Sequence, residues 1–296
     1  MNLIDANSFS NKLYNPFSGS GQLKVNSWLM KSFNSRLSDV IREKGSHLCV
    51  GLDMNPEGLG STDSSLGTLM AHAYKVIDAT QDLAAAFKPN LAFFERWGSA
   101  GFKWLEETME YFGDDKIIIG DGKRGDIGNT AKQYAHSLFN HFGFDAITLN
   151  PYMGQDSITP FTNNPEKGVF ILCRTSNSSA VDFQNQPIGN EMLFDKVAKM
   201  AVDWNSNDNV GLVVGATAPE EISRVRKQAP GLPFLIPGIG AQGGDLNQSM
   251  KDGNIDGIAL INVSRGISFA GDLSEKAIRN SAENYVDQMR RIMNES

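Results

Sequence analysis

A chain of 296 residues can hold two average domains or one α/β barrel, a fold that commonly occupies about 250 residues. Its hydrophobic content of 41% and charged content of 21% exclude a chain that is disordered throughout. The net charge of −7, without any stretch rich in Lys and Arg, argues against a nucleic-acid partner. No apolar run reaches the length of about 18 residues that a membrane-spanning helix requires.

The first 26 residues are rich in Asn, Ser and Gly and show no period, which predicts a loosely attached, flexible arm. This arm has neither a basic start nor a continuous apolar core, so we expect a cytoplasmic protein. From Trp28 to Ile41 apolar residues recur at helical spacing, and the pattern ends near Gly45. We therefore expect an arm over residues 1–26 and a single catalytic domain over residues 27–296.

Eight short β-rich runs follow, separated by segments long enough for helices. They are "HLCVGLD" (47–53), "AAFKPN" (85–90), "KIIIGDGK" (116–123), "AITLN" (146–150), "GVFILCRT" (168–175), "VGLVVGAT" (210–217), "PFLIPGIG" (233–240) and "GIALINVS" (257–264). Continuous apolar strands that alternate with helices indicate parallel strands buried on both faces. Eight such units favour a closed (β/α)8 TIM barrel over an open sheet.

Polar residues repeatedly occupy the carboxyl ends of these predicted strands, where barrels of this type carry their active sites. In chain order they are Asp53, Lys88, Asn90, Asp121, Lys123, Asn150, Arg174, Thr175 and Ser176. A mouth lined in this way suits a charged small molecule.

The segment "GDGKRGDIGNT" (120–130) contains the densest group of charges. Because side chains alternate along a strand, Asp121 and Lys123 can both point toward the barrel axis, whereas Asp126 falls before the next helix. This pattern alone fits either a structural ion pair with a helix cap or a catalytic cluster. Lys88 on the neighbouring strand favours the catalytic cluster, because a buried mouth rarely collects two lysines and several carboxylates without a chemical role.

Glycines after the seventh predicted strand and an arginine after the eighth predict a phosphate site. The segment "IPGIGAQGGD" supplies backbone N–H groups that can converge on an anion, and Arg265 in "NVSRG" can add two charge-assisted hydrogen bonds. The loops after these two strands are the usual phosphate site of this fold. The alternative is a set of ordinary turn glycines beside a surface arginine.

Several of these segments resemble a known family. "GDGKRGDIGNT" is similar to the Asp-x-Lys-x-x-Asp-Ile-x-x-Thr signature of orotidine 5'-phosphate decarboxylases, and "FKPN", "FILCRTSN", "PGIGAQGGD" and "NVSRGI" resemble the second subfamily. The resemblance implies decarboxylation of orotidine 5'-monophosphate (OMP) to uridine 5'-monophosphate (UMP), the last step of de novo UMP synthesis. It also implies a homodimer with shared active sites and no metal or organic cofactor.

The resemblance further implies roles for single residues. Lys123 is the expected proton donor to C6, flanked by Asp121 and Asp126, with Lys88 completing a chain of charges. The expected substrate-binding residues are Asp53 and Lys88 at the ribose, Ser176 and Gln242 at the pyrimidine, and Gly240, Gln242 and Arg265 at the phosphate. Asn90 and Thr175 are expected to bind the substrate from their strand ends. Ile127 and Thr130, together with Asp126, are expected to reach the partner's site.

These residue types suit the implied chemistry. Loss of carbon dioxide from C6 leaves electron density that the ring delocalises poorly, so without a cofactor the protein must stabilise it electrostatically. The ammonium of Lys123 can do this and then donate its proton. Burial disfavours a charged lysine, and the flanking Asp121 and Asp126 oppose that effect.

Three other functions stay open from the sequence. A magnesium-dependent sugar-phosphate enzyme of the same barrel suprafamily can carry a similar charge pattern. A Schiff-base aldolase is less favoured, because flanking carboxylates favour the ammonium over the free amine that it needs. A non-catalytic barrel that senses a nucleotide is the third. Two segments are expected lids, "AQGGD" (241–245) and "TSNSSAVDFQNQPIGN" (175–190).

The two cysteines and four histidines are expected to be structural. Cys49 and Cys173 lie inside apolar runs, where reduced thiols pack as small hydrophobic groups. The histidines do not converge on the predicted mouth, so none is assigned to a metal or to proton transfer; they are His47, His72, His136 and His141.

Overall fold

Eight parallel strands close into a barrel surrounded by helices, which confirms the predicted (β/α)8 fold. The computed structural model describes residues 31–61, 64–113, 116–217, 219–240 and 243–295. The predicted arm, residues 1–26, lies outside the described residues, as does Gln242. From Lys31 onward the chain forms one compact unit.

Each barrel strand overlaps one of the eight predicted runs. The strands are β1 Leu48–Leu52, β2 Ala86–Pro89, β3 Ile117–Arg124, β4 Ala146–Leu149, β5 Gly168–Arg174, β6 Val210–Val214, β7 Phe234–Pro237 and β8 Ala259–Val263. Each pairs in parallel with its neighbours in the chain, and β8 pairs with β1 to close the barrel. A short antiparallel ribbon of Pro187–Ile188 and Glu191–Met192, which the sequence did not predict, follows β5.

Helices occupy the segments between the strands. They are α1 Phe33–Lys44, α2 Leu66–Thr80, α3 Leu91–Glu95, α4 Gly98–Phe112, α5 Gly128–Ala135, α6 Thr159–Thr162, α7 Leu193–Asp203, α8 Pro219–Gln228, α9 Leu246–Gly253, α10 Arg265–Ser268 and α11 Glu275–Asn294. A π-helix, His136–His141, continues α5. None of the helices in the described ranges is both long enough and apolar enough to cross a bilayer.

Helix α1 packs against the residues that fill the barrel. Phe33 and Leu37 belong to the same buried cluster as Cys49, Phe170 and other strand residues. Phe33 also lies against Gly168 at the start of β5, where a Cβ would approach its ring to 2.2 Å. The helix therefore covers the amino-terminal ends of the strands, and the carboxyl ends remain available for a ligand.

Both cysteines are buried and free, as expected from their apolar runs. Burial raises the pKa of the Cys49 thiol to about 12, and burial also raises the pKa of Cys173. Both side chains are therefore neutral thiols that pack as small hydrophobic groups.

Strand β3 contains a bulge where it reaches the barrel mouth. Gly120 pairs with Ile147 of β4, but the next pair joins Arg124 to Leu149, so β3 uses two more residues than β4 over this stretch. Lys123 lies within the bulge and has a left-handed main chain, with φ 45°. Bulges re-aim side chains and are frequent beside active sites.

Candidate active site

A continuous chain of charges crosses the barrel mouth from β2 to β3, and we call Lys88, Asp121 and Lys123 the charge chain. Lys88 Nζ donates to Asp121 Oδ2 at 2.6 Å, and Lys123 Nζ donates to Asp121 Oδ1, also at 2.6 Å. Lys88 and Asp121 are buried, whereas the side chain of Lys123 is 50% exposed. One carboxylate therefore holds two ammonium groups, of which one remains open to the mouth.

The positions of strands β2 and β3 explain how the charge chain forms. Strands β2 and β3 are neighbours in the barrel, and an isolated bridge joins Asn90 to Asp121 just past the end of β2. The sequence predicted that Asp121 and Lys123 share one face through regular strand alternation. Their charged ends do meet, but through the bulge and the left-handed main chain of Lys123 rather than through a regular pleat.

The buried members of the charge chain shift each other's pKa. Burial alone disfavours the ammonium of Lys88, but the carboxylates of Asp121 and Asp53 outweigh burial and raise the pKa of Lys88. Burial likewise opposes the charge of Asp121, and the two lysines overcome it and hold the pKa of that carboxyl far below its usual range. The Lys88–Asp121 pair is therefore ionised at neutral pH.

A cavity of about 180 Å³ lies beside the charge chain at the carboxyl ends of the strands. Its lining residues come from the first three strands and from the last two: Asp53, Lys88, Asn90, Asp121, Pro237, Gly238, Ile239, Asn262, Ser264 and Arg265. Four of the predicted substrate-binding residues, Asp53, Lys88, Asn90 and Arg265, therefore meet around one cavity, together with the predicted catalytic Asp121.

The lining has unmet hydrogen-bonding capacity. Asp53 Oδ1, Asn262 Oδ1 and Ser264 Oγ are buried and have no hydrogen-bond partner within the described ranges. Buried polar atoms in folded proteins are nearly always hydrogen-bonded. Two of the three are acceptors, so a ligand that brings hydroxyl groups is chemically suited to this cavity.

The glycine-rich turn after β7 has a conformation that requires glycine. Gly238 and Gly240 have φ angles of 105° and 79°, and a Cβ at Gly240 would lie 2.6 Å from the hydroxyl of Tyr285. The turn folds back on itself, since Gly244 N donates to Gly238 O at 3.0 Å. Arg265 is exposed at the start of α10. Gly238 of the turn and Arg265 line the same cavity.

The residues that follow β3 are separate from the charge chain. Asp126 makes no ion pair with any residue whose placement is described, and its Oδ1 accepts a hydrogen bond from Ile127 N at 2.8 Å. The side chains of Ile127 and Thr130 are exposed. Within the described ranges, no hydrogen bond or ion pair joins these residues to Lys123.

The predicted pyrimidine-binding loop after β5 is tied to its own neighbours. Thr175 N donates to Gln184 Oε1 at 2.8 Å, and Thr175 Oγ1 donates to Asn177 Oδ1 at 2.6 Å. Ser176 O accepts from Thr217 Oγ1 at 3.3 Å. Neither Thr175 nor Ser176 lines the 180 Å³ cavity, and Gln242, the other predicted reader of the base, lies outside the described residues.

A larger cavity, about 640 Å³, lies away from the charge chain. It is lined by residues after β4, by the loop after β5 and by α7, and its lining is mostly apolar, including Phe183, Met200 and Trp204. Among the described residues that line it, only Lys196 is charged. We assign the chemistry to the smaller cavity because the ionised groups lie there.

Sequence reasoning missed three polar residues of the site. Asn262 and Ser264 line the cavity, and their signal was present as alternate polar positions at the end of the eighth predicted strand. Thr148, in the middle of β4, contacts Asp121 and Lys123. A threonine inside an apolar strand gives no sequence signal beyond an ordinary β-branched residue.

Metal ligands do not cluster in this part of the protein. Over the described ranges, no three His, Cys, Asp or Glu side chains are grouped as a metal ion would require. Glu95, which follows β2, instead pairs with Arg124.

A closed parallel barrel with paired lysines and carboxylates at its mouth defines the class of (β/α)8-barrel enzymes with a charged active site at the strand ends. Residues 46–279 match a family model described as the orotidine 5'-phosphate decarboxylase / HUMPS family. The chain belongs to this family.

Individual relatives agree with this assignment. The chain is 50% identical over 244 residues to an orotidine 5'-phosphate decarboxylase of Natronomonas pharaonis, which covers 81% of this chain and 90% of that relative. The solved structure of Leishmania donovani OMP decarboxylase has a TM-score of 0.79 and 40% identity, over 88% of this chain and 98% of that one. Leishmania donovani UMP synthase has a TM-score of 0.80 and 40% identity over 89% of this chain, which spans 57% of that longer protein.

Proposed function

We propose that the protein is a homodimeric cytoplasmic enzyme that decarboxylates OMP to UMP, the last step of de novo UMP synthesis, without a metal or organic cofactor. The observation that carries the proposal is the charge chain, in which Asp121, a lining residue of the polar cavity, holds the half-exposed ammonium of Lys123. The names of the Natronomonas pharaonis and Leishmania donovani relatives support the choice of substrate.

In this proposal the ammonium of Lys123 lies beside C6 of the bound pyrimidine. When the bond from C6 to the carboxylate breaks, carbon dioxide leaves and the electron pair stays on C6, where the positive charge stabilises it. Lys123 then gives a proton to C6, which forms the C6–H bond of UMP. Its half-exposed side chain can regain a proton from solvent after product release.

The other two members of the charge chain orient this ammonium. Asp121 accepts from Lys123 through Oδ1, and its second oxygen is occupied by Lys88. Because Lys88 is buried and ionised, it fixes the carboxylate and balances its charge. The arrangement needs little reorganisation when charge develops at C6, which is how preorganised sites lower an activation barrier.

The substrate is proposed to lie across the 180 Å³ cavity. Asp53 and Lys88 bind ribose hydroxyls, and Asn90 lies beside them. Asp53 Oδ1 has no hydrogen-bond partner among the described residues and can accept from such a hydroxyl. The turn at Gly240 and the exposed Arg265 bind the phosphate, together with Gln242. Ser176 and Gln242 bind the pyrimidine, and Thr175 binds the substrate at the end of its strand, which requires the loops that carry them to close over the ligand.

A homodimer with shared sites would add Asp126 of one subunit to the charge chain of the other. Asp126 has no ion-pair partner within the described part of its own subunit, and Ile127 is 48% exposed. Further exposed apolar side chains occur on the loops after β4 and β5: Tyr152, Met153, Val181, Phe183 and Ile188. We propose that a second copy covers these side chains and brings Asp126, Ile127 and Thr130 to the partner's Lys123.

Turnover of OMP in the presence of EDTA tests the proposed function. Decarboxylation removes the orotate absorbance band, so the expected result is steady loss of this band and formation of UMP with the chelator present. Loss of the band only after magnesium is restored would point to a metal-dependent barrel enzyme. Binding of UMP without any loss of the band would identify a nucleotide-binding barrel and would overturn the proposal.

A further inference from the structure

Thr148 connects the main chain of Lys123 to the side chain of Asp121. It lies in β4 and is 2% exposed. Its Oγ1 accepts a hydrogen bond from Lys123 N at 2.9 Å and donates one to Asp121 Oδ1, also at 2.9 Å. One hydroxyl therefore contacts both residues of the charge chain that belong to β3, and it uses its donor and an acceptor position to do so.

The bulge in β3 explains why a side chain is needed at this point. Thr148 lies between the two β4 residues, Ile147 and Leu149, that pair with Gly120 and Arg124. Across this gap the amide of Lys123 donates to the threonine hydroxyl rather than to a main-chain carbonyl of β4. The hydroxyl thus supplies the acceptor for an amide that the bulge has displaced from the strand ladder.

The main chain of Lys123 is in a conformation that must be held by its surroundings. Its φ of 45° lies in the left-handed region, which residues other than glycine adopt at an energetic cost. Such residues persist where neighbouring contacts fix them, and they concentrate at functional sites. The hydrogen bond to Thr148 and the ion pair to Asp121 are the contacts that fix Lys123 at its two ends.

We propose that Thr148 is a positioning residue that holds Lys123 in its left-handed conformation and aligns the Asp121 carboxylate, so that the ammonium points toward the reacting carbon. This inference rests on the proposed decarboxylation and adds a residue to it. Thr148 acts through Lys123 and Asp121 and does not itself contact the substrate. Without the hydroxyl, the Lys123 amide loses this hydrogen bond, and Asp121 Oδ1 loses one of its two donors in the described ranges and keeps the Lys123 ammonium.

Kinetics of Thr148→Val and Thr148→Ser test the inference. Valine keeps the shape of threonine and removes both hydrogen bonds, whereas serine keeps the hydroxyl. We expect Thr148→Val to lower kcat by roughly 10- to 100-fold, because a displacement of about 1 Å in a reacting group has an effect of that size. The KM for OMP is expected to change little, and Thr148→Ser should restore most of kcat.

Thr80→Val is a matched control. Thr80 is also fully buried, and its hydroxyl donates to Val76 O at 2.7 Å within α2, remote from the charge chain. The Thr80→Val variant should keep the wild-type kcat even if it loses stability.

A kcat for Thr148→Val within threefold of wild type, or an equal loss for Thr148→Val and Thr148→Ser, would overturn the inference. If Thr148→Val does not fold, Thr148→Ala removes the same two hydrogen bonds without adding bulk.

A crystal structure of Thr148→Val separates this inference from the proposed function. We expect Lys123 to leave the left-handed region or its Nζ to leave Asp121 Oδ1. If wild type fails to turn over OMP, the proposed function fails, but this structural readout still decides the role of Thr148. An unchanged Lys123, with φ near 45° and Nζ 2.6 Å from Asp121, would overturn the inference whatever the substrate is.

Discussion

Lys88 Nζ lies 2.6 Å from Asp121 Oδ2, and the two side chains are only 5% and 10% exposed. The other oxygen of the same carboxylate holds Lys123. Removal of one partner of a buried ion pair strongly destabilises the fold, because the remaining charge has no water to solvate it. The group that orients the proposed proton donor is therefore also part of the barrel's stability.

The stability of the protein should depend on pH through Asp121. The pKa of this carboxyl is lower in the folded state than in an unfolded chain, where it is about 3.9. The ion pair therefore stabilises the fold above about pH 4, and the stabilisation is lost as the pH falls through the folded-state pKa. Lys88 acts in the opposite sense, because its raised pKa contributes stability below about pH 10.4 that is lost as the pH rises.

Urea unfolding of wild type and Asp121→Asn at several pH values measures this effect. We expect Asp121→Asn to lower the free energy of unfolding by about 3 to 5 kcal/mol near pH 7, and the difference should shrink below about pH 4. Asp82→Asn is a suitable control, because Asp82 pairs with Arg279 at the surface and should contribute little. A difference that stays constant from pH 7 to pH 3 would contradict the pKa direction given for Asp121.

Arg265→Ala should weaken ligands that carry a phosphate. Charge-assisted hydrogen bonds to a phosphate are worth about 1.5 to 3 kcal/mol, so the affinity for UMP should fall roughly 10- to 150-fold. The affinity for uridine should hardly change, because the bare nucleoside lacks the phosphate. Calorimetric titration with both ligands measures the two effects, and Arg291→Ala, an exposed arginine on α11, is the control. Equal losses for UMP and uridine would show that Arg265 does not bind the phosphate.

Subunit mixing tests whether Asp126 serves the partner's site. Asp126→Ala and Lys123→Ala homodimers should each be inactive, whereas a heterodimer of the two has one site with both groups intact. After complete exchange of an equal mixture, half of the dimers are heterodimers, so about a quarter of the wild-type activity should return. The same mixture assayed before exchange is the control. Absence of recovery, with heterodimers verified by native mass spectrometry, would place Asp126 in its own subunit's site.

The barrel could be predicted from sequence because its strands are continuous apolar runs with polar ends. Asp53, Lys88 and Asp121 could be predicted for the same reason, since the carboxyl end of a parallel strand places them at the mouth. The conformation of Lys123 could not, because the bulge depends on the pairing of β3 with β4. Regular alternation correctly predicted that Asp121 and Lys123 meet on one face, but a bulge in β3 rather than a regular pleat brings them together.

Thr148 shows the limit of sequence reasoning most clearly. Its place in "AITLN" is that of any β-branched core residue, and its role appears only when β4 is placed beside the bulge of β3. Asn262 and Ser264 could have been found, because they alternate along the end of the eighth strand. The roles of Asp126, Ile127 and Thr130 depend on a second subunit, and single-chain geometry leaves them as predictions.

The turnover of Lys123→Ala tests the central claim most directly. The measurement is the rate of loss of the orotate absorbance at saturating OMP, with UMP affinity measured in parallel and with Lys103→Ala, an exposed lysine on α4, as control. Removal of a group that both stabilises charge and donates the proton should lower kcat by roughly 10⁴-fold or more while UMP still binds. A rate within tenfold of wild type would contradict the assignment of Lys123 as the proton donor.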